Sequence, residues 1–257
     1  MAMNNSHKVF GLIGYPLGHS FSAEFFAEKF RREDIAAEYR LWEIPSLDSV
    51  AALTKDVSGF NVTIPHKVRI MDFLDEIDPE AKAIGAVNVV KVISQDDGRI
   101  VRKGYNTDAL GFLKSLKAMK GFSEADIQQA LVLGSGGASK AVVHALKKLG
   151  IQSTVVSRNP GQGQIGYSQI NSEIMATHGL IVNCTPLGTY PDINSYPDIP
   201  YDKLSPNHYC NDLVYNPSMT RFMQLSETQG ATVKNGMEML RQQALAAWEI
   251  WSDDNVS

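Results

Sequence analysis

The chain has 257 residues, a formal net charge of −4, a pI near 5.9 and 44% hydrophobic residues. That length allows one large or two modest domains, and the mild acidity argues against a nucleic-acid groove or an anionic membrane surface as the main partner. Cys184 and Cys210 form neither a metal-ligand cluster nor a disulfide framework, and the polar start and the lack of any long apolar run predict a cytoplasmic protein without a membrane segment.

The apolar run over 9–14 predicts a buried strand, broken by Tyr15-Pro16-Leu17-Gly18. His19-Ser20-Phe21-Ser22 follows, then a helix over 23–32 with Phe25, Phe26 and Phe30 turned inward. If 20–22 is extended, the Ser20 and Ser22 hydroxyls share a side and suit a carboxylate. The other reading makes Ser22 a helix cap. A strand over 39–44 and a helix over 46–54 lead to a strand over 61–64 whose alternation puts Asn61 and Thr63 on one side. Pro65 suits the first position of a helix, which puts Lys67 in its first turn. There the macrodipole would lower the lysine pKa and make it a better proton donor and acceptor near neutrality. A flexible surface lysine is the alternative.

A strand over 84–93 carries the lone amide Asn88, and Asp96-Asp97-Gly98 predicts a hairpin turn. Asp108 reads as a cap or first-turn acid of a helix over 109–119. Next, the apolar run over 131–133 feeds Gly134-Ser135-Gly136-Gly137-Ala138-Ser139, and a helix over 140–150 has Val142, Leu146 and Leu149 on one face. Strand, glycine turn and helix make the dinucleotide fingerprint, in which glycines let the backbone turn sharply and bring helix N–H groups to a pyrophosphate. An ordinary turn before a helix is the bland reading.

The second strand, 153–157, ends at Ser157 and is followed by Arg158; no Asp or Glu occurs over 127–172, where an NAD site would carry an acid for the ribose 2′-OH. A basic residue there suits the 2′-phosphate of NADP, the alternative being a solvated loop arginine. Further strands over 180–183 and 209–213 imply a parallel sheet with right-handed crossovers. Ligands sit outside the carboxyl ends of such strands, so Thr185 and Tyr215 are expected to face a cleft. In the last helix, 236–251, Met239, Gln243, Ala246 and Ile250 form an inward row, and Gln243 needs either a backbone carbonyl or a ligand as partner.

Gly14 to Ser22, Asn61 to Lys67, Gly85-Ala86-Val87-Asn88, Tyr105-Asn106-Thr107-Asp108, the glycine turn, Asp212 to Pro217 and Gly236 to Gln243 together resemble the shikimate dehydrogenase family over nearly the whole chain. The resemblance implies an α/β fold with two domains. An N-terminal α/β substrate domain would span 1–107 and 236–257, with the C-terminal helix returning to it, and a Rossmann-like dinucleotide-binding domain would span 108–235. The implied activity is reversible NADPH-dependent reduction of 3-dehydroshikimate to shikimate, a step of aromatic amino-acid (chorismate) biosynthesis.

Carried over by residue, Lys67 is the general acid/base and Asp108 its catalytic companion. Ser20 and Ser22 bind the substrate carboxylate, Thr63, Asn88, Asp108 and Gln243 hold ring hydroxyls, and Tyr215 lines the pocket. Gly134, Ser135, Gly136, Gly137, Ala138, Ser157, Arg158, Thr185, Leu213 and Gly236 bind NADP. Asp108 would raise the Lys67 pKa against the helix dipole, and hinges are expected near Asn106 and Gly236. The partner is a small-molecule substrate, with no nucleic acid, membrane or metal, in a monomer or homodimer.

The chain departs from the family at Ala23 (usually Pro), Val89 (Thr), Cys184 (Ala), Leu213 (Met) and Ser157 (Asn), and the short 159–167 segment is expected to hold the adenosine phosphate more weakly than usual. The alternatives are an NAD-using quinate/shikimate dehydrogenase, a methylenetetrahydrofolate dehydrogenase type, and a non-catalytic dinucleotide-binding homologue.

Overall fold

The computed structural model describes residues 7–18 and 20–253, so the polar start and His19 of the serine segment lie outside the described residues. The chain divides into two compact units, Met1–Thr107 with Ala244–Ser257, and Asp108–Gln243.

The first unit runs β1 (Lys8–Gly14), α1 (Phe21–Arg32), β2 (Ala37–Glu43), α2 (Val50–Leu53), β3 (Gly59–Val62), a 3-10 turn (Arg69–Phe73), β4 (Glu76–Ile77), α3 (Pro79–Ile84), β5 (Val89–Ser94) and β6 (Ile100–Tyr105). Its six strands form one mixed sheet in the order β2-β1-β3-β5-β6-β4. Strand β1 is parallel to β2 and β3, whereas β5 is antiparallel to both of its neighbours.

Phe10 and Ile13 sit three apart on β1 and so point to opposite faces, and each belongs to its own core cluster. Ile13 packs with Phe60, Val62, Ile70 and Val90. Phe10 packs with Phe26, Phe30 and Trp251, its ring stacked on Trp251 at 4.9 Å between centroids. Burying each such ring contributes about 1.5–3 kcal/mol. Trp251 also donates its indole N–H to the Val90 carbonyl at 3.0 Å, which ties the C-terminal helix to the sheet.

The second unit runs α4 (Asp108–Lys117), β7 (Gln129–Leu133), α5 (Gly137–Lys148), β8 (Gln152–Val156), β9 (Gln164–Ile165), α6 (Ser172–Thr177), β10 (Leu180–Asn183), β11 (Tyr209–Asp212), α7 (Arg221–Thr228), β12 (Thr232–Lys234) and the start of α8 (Met237–Ser252). The sheet is parallel throughout, in the order β12-β11-β10-β7-β8-β9. Buried parallel strands need apolar residues on both faces, and Leu131, Val132, Leu133, Leu180, Ile181 and Val182 are all fully buried. From β7 the chain builds outward to β8 and β9, then returns to β10 on the other side of β7 and builds outward to β11 and β12. The order therefore reverses at the carboxyl end of β7, where open α/β sheets bind ligands.

Helix α8 divides between the units inside its length rather than at residue 236, where the return was expected. Gly236 N–H donates to the Val214 carbonyl at 3.0 Å, and a Cβ at Gly111 would meet the Met239 carbonyl at 2.7 Å, so the first turns of α8 pack within the second unit. Ala244, Ala247 and Trp251 pack instead in the aromatic cluster of the first unit.

Candidate functional site

In the first unit the serine pair differs from its expected geometry. Ser20 is extended and is itself the α1 cap, its hydroxyl accepting from Ala23 N–H at 3.4 Å. Ser22 already lies inside the helix and is buried, so the shared-face argument for an extended 20–22 segment does not apply. The helix begins at Phe21 because Phe21, Phe25 and Phe26 pack inward at helical spacing.

Lys67 is half-buried, but no α-helix starts at Pro65. Residues 64–68 form turns, held by His66 N–H on the Thr63 carbonyl at 2.9 Å, the His66 ring Nε2 donating to the Ile44 carbonyl at 2.7 Å, and Val87 N–H on the Lys67 carbonyl at 2.8 Å. Ile64 and Val68 are exposed and offer no apolar face for a helix to bury. No helix macrodipole therefore acts on Lys67 from its own segment, and its placement comes from these three bonds.

Thr63 lies just past β3, its N–H on the Ile13 carbonyl at 2.9 Å. Gly14 gives it room: a Cβ there would collide with the Thr63 methyl and the Leu17 side chain. Asn88, 2% exposed, precedes β5. Its Oδ1 accepts from Thr107 N–H at 2.7 Å and its Nδ2 donates to Thr107 Oγ1 at 3.0 Å, which pins the last residue before the unit boundary.

In the second unit Asp108 is the first residue of α4, buried, as a first-turn acid. Gly134 ends β7 with φ at +108°, a backbone region that disfavours side chains, and its N–H reaches the Val156 carbonyl at 2.8 Å. Helix α5 has Gly136 as a cap without a side-chain bond, no acid in its first turn, and nothing within 4 Å of the space a Gly136 Cβ would fill.

Gly137 and Ala138 complete that turn, and Ser135 Oγ meets Ser157 Oγ at 3.2 Å, joining the glycine turn to the end of β8. Arg158 follows on the exposed side, close enough to Tyr167 to act on its hydroxyl, whose pKa burial raises and Arg158 lowers. An open, uncapped helix N-terminus with a basic residue beyond β8 fits the pyrophosphate and 2′-phosphate of NADP.

Thr185, Leu213, Tyr215 and Gly236 gather at the carboxyl ends of β10 and β11. Thr185 donates from both N–H (3.0 Å) and Oγ1 (2.6 Å) to Asn183 Oδ1. Gly236 lies against the Leu213 carbonyl so closely that a Cβ would overlap it. Tyr215 is half-buried on the same loop. Gln243 is buried as the periodicity indicated, and its amide donates to the Leu240 carbonyl at 3.0 Å. Cys184 and Cys210 are free thiols, with burial pushing Cys210 up to about 12 and Cys184 above the usual thiol range.

Two buried polar groupings escaped the sequence reading. Asp212 is fully buried; its Oδ1 accepts from Asn183 Nδ2 at 2.9 Å and Val214 N–H at 3.0 Å, and its Oδ2 from Thr220 Oγ1 at 2.6 Å. Burial pushes its carboxyl up to about 6, against the three donors that hold it down. The second grouping joins Tyr39 to Asn61, the tyrosine hydroxyl donating to Oδ1 at 2.7 Å. The available signal was a polar residue closing a buried strand, Asn183 in Leu180–Asn183 and Asp212 in Tyr209–Asp212.

Residues 12–90 match the family model described as the shikimate dehydrogenase substrate binding domain. The protein of Desulforamulus reducens named shikimate dehydrogenase (NADP(+)) is 34% identical, covering 97% of this chain and 91% of its own. Its namesake in Shouchella clausii is 36% identical, covering 95% and 92%. Among solved structures, shikimate 5-dehydrogenase from Thermus thermophilus in complex with NADP(H) and shikimate superposes with a TM-score of 0.81 at 32% identity, covering 95% and 93%.

Proposed function

The chain belongs to the shikimate dehydrogenase family, and we propose that it catalyses the reversible NADPH-dependent reduction of 3-dehydroshikimate to shikimate. The observation that carries the cofactor half is the uncapped N-terminus of α5 at the carboxyl end of β7, linked through Ser135 and Ser157 to a strand end followed by Arg158 rather than an acid. NADPH, when bound, supplies the hydride.

In this reading the first unit receives the substrate and the second the cofactor. The α5 N–H groups of Gly137 and Ala138 hold the pyrophosphate, Ser157 and Arg158 the 2′-phosphate, and Thr185, Leu213 and Gly236 the loops beside the nicotinamide. Ser20 and Ser22 take the substrate carboxylate, while Thr63, Asn88, Asp108, Tyr215 and Gln243 hold the ring and its hydroxyls. Lys67 gives a proton to the carbonyl oxygen as hydride reaches the carbon, and removes it in the reverse direction, with Asp108 orienting the pair. Two turn bonds beside Lys67, His66 N–H on the Thr63 carbonyl and Val87 N–H on the Lys67 carbonyl, support this role by fixing its backbone.

The test follows NADPH absorbance with purified protein and 3-dehydroshikimate. Oxidation dependent on both is the expected result. Binding without turnover, with NADPH and NADH alike, would instead favour a dinucleotide-binding homologue that has lost catalysis.

A further inference from the structure

Asn183 and Asp212 close the neighbouring parallel strands β10 and β11, opposite each other in register, and both are fully buried. The loops that leave these strands carry Thr185 and Leu213, both assigned to the nicotinamide half of the cofactor. A single carboxylate oxygen ties the two loops together. Asp212 Oδ1 accepts from Asn183 Nδ2 at 2.9 Å and from Val214 N–H at 3.0 Å.

The donor inventory sets each direction. A carboxylate only accepts, so the amide nitrogen of Asn183 faces Asp212 and its oxygen is turned to the loop beyond β10. There Oδ1 accepts from Thr185 twice, from N–H at 3.0 Å and from Oγ1 at 2.6 Å. On the other arm Val214, whose N–H Asp212 holds, offers its carbonyl to Gly236 N–H at 3.0 Å. Thr185 is thus joined to Asp212 Oδ1 through Asn183 and Gly236 through Val214, while Leu213 is the residue enclosed between Asp212 and Val214. The second oxygen serves a different element, accepting from Thr220 Oγ1 at 2.6 Å at the cap of α7.

We infer that Asp212 is a positioning residue for the nicotinamide half of NADPH, its Oδ1 setting the spacing between the Thr185 loop and the Leu213 and Gly236 backbones. Without that oxygen Asn183 Nδ2 keeps only the Leu187 carbonyl, 3.5 Å away on its own loop, and nothing draws the amide across to β11. Hydride transfer needs the ring held to well within about an ångström, so loops that drift apart misplace it. The adenosine end lies on the glycine turn and the end of β8, which this network does not reach. The inference rests on the assignment of Thr185, Leu213 and Gly236 to the nicotinamide.

Asp212→Leu keeps a branched side chain and removes both oxygens. Its kcat/KM for NADPH is expected to fall about tenfold, while the inhibition constant of adenosine 2′,5′-bisphosphate, which lacks the nicotinamide half, stays at the wild-type value. Asp212→Asn keeps one acceptor for Asn183 and Val214 and should restore kcat/KM. Thr220→Val empties only Oδ2 and should leave kcat/KM unchanged. If Asp212→Leu does not fold, Asn183→Ala cuts the same arm and carries the same expectation. Wild-type kcat/KM in the variant that cuts the Oδ1 arm, an equal loss in Thr220→Val, a loss in Asp212→Asn, or weaker binding of the bisphosphate alongside NADPH would each overturn the inference. If the wild-type protein does not oxidise NADPH, or the bisphosphate does not compete with it, the cofactor assignment itself fails; if both hold and the variants still behave as wild type, only the Asp212 role fails.

Discussion

Asp212→Asn should change the pH dependence of stability in the second unit by an amount set by one buried carboxyl. In the fold Asp212 titrates at about 6, against an ordinary value of 3.8. A difference of roughly two units, at about 1.36 kcal/mol each, is ~3 kcal/mol. The folded pKa lies above the unfolded one, so this contribution is fully present below the unfolded pKa and is lost as pH rises through the folded one. At neutral pH the fold carries an ionised carboxylate out of water, with three donors that only partly offset the cost.

Asparagine can keep the geometry. Its oxygen accepts from Asn183 Nδ2 and Val214 N–H, and its NH2 group faces Thr220 Oγ1, which already accepts from Met223 N–H at 3.3 Å. The stability of Asp212→Asn relative to wild type is therefore expected to improve by ~3 kcal/mol across the interval between the two pKa values, and to stay level above it. All three tryptophans, Trp42, Trp248 and Trp251, belong to the first unit and do not report on this site. The assay is hydrogen exchange of the β10 and β11 amides in urea, wild type and variant compared at each pH so that intrinsic exchange cancels. A difference that stays constant across that interval would refute the reasoning.

Lys67→Ala should lower turnover by roughly a hundredfold or more while leaving thermal unfolding unchanged, as expected of a general acid/base group held by backbone bonds. Unchanged turnover removes the lysine from the mechanism. Arg158→Ala should raise the KM for NADPH far more than that for NADH, and equal changes would mark the arginine as structural. Asn88→Ala deprives the Thr107 N–H of its 2.7 Å partner at a residue only 3% exposed, a loss of about 1–3 kcal/mol readable by tryptophan fluorescence in urea. A loss within error would show that water or another acceptor replaces the amide.

The parts that were legible were those whose physics is local. The apolar runs at β1, β7 and β10, the glycine turn before α5, Asp108 opening α4 and the buried row of α8 all express spacing or backbone freedom that a residue carries wherever it is placed. The lysine segment was not legible. Pro65 and the residues after it suit a helix start, but Ile44, Thr63 and Val87 hold the segment as turns, and two of those partners are some twenty residues distant in sequence. The expected helix over 46–54 is only Val50–Leu53, with Ser46 and Asp48 bonded to each other ahead of it.

By itself the sequence determined the apolar strands β1, β7 and β10, the turn that suits a pyrophosphate and the lack of an acid at the end of the second strand, because each depends on neighbours in the chain. Only the tertiary structure decided that Ser20 rather than Ser22 caps α1, that Tyr39 donates its hydroxyl to Asn61, and that Asp212 is buried among three donors. Those outcomes depend on which groups remain to satisfy a polar atom once water is excluded, and that choice is made between residues far apart in the chain.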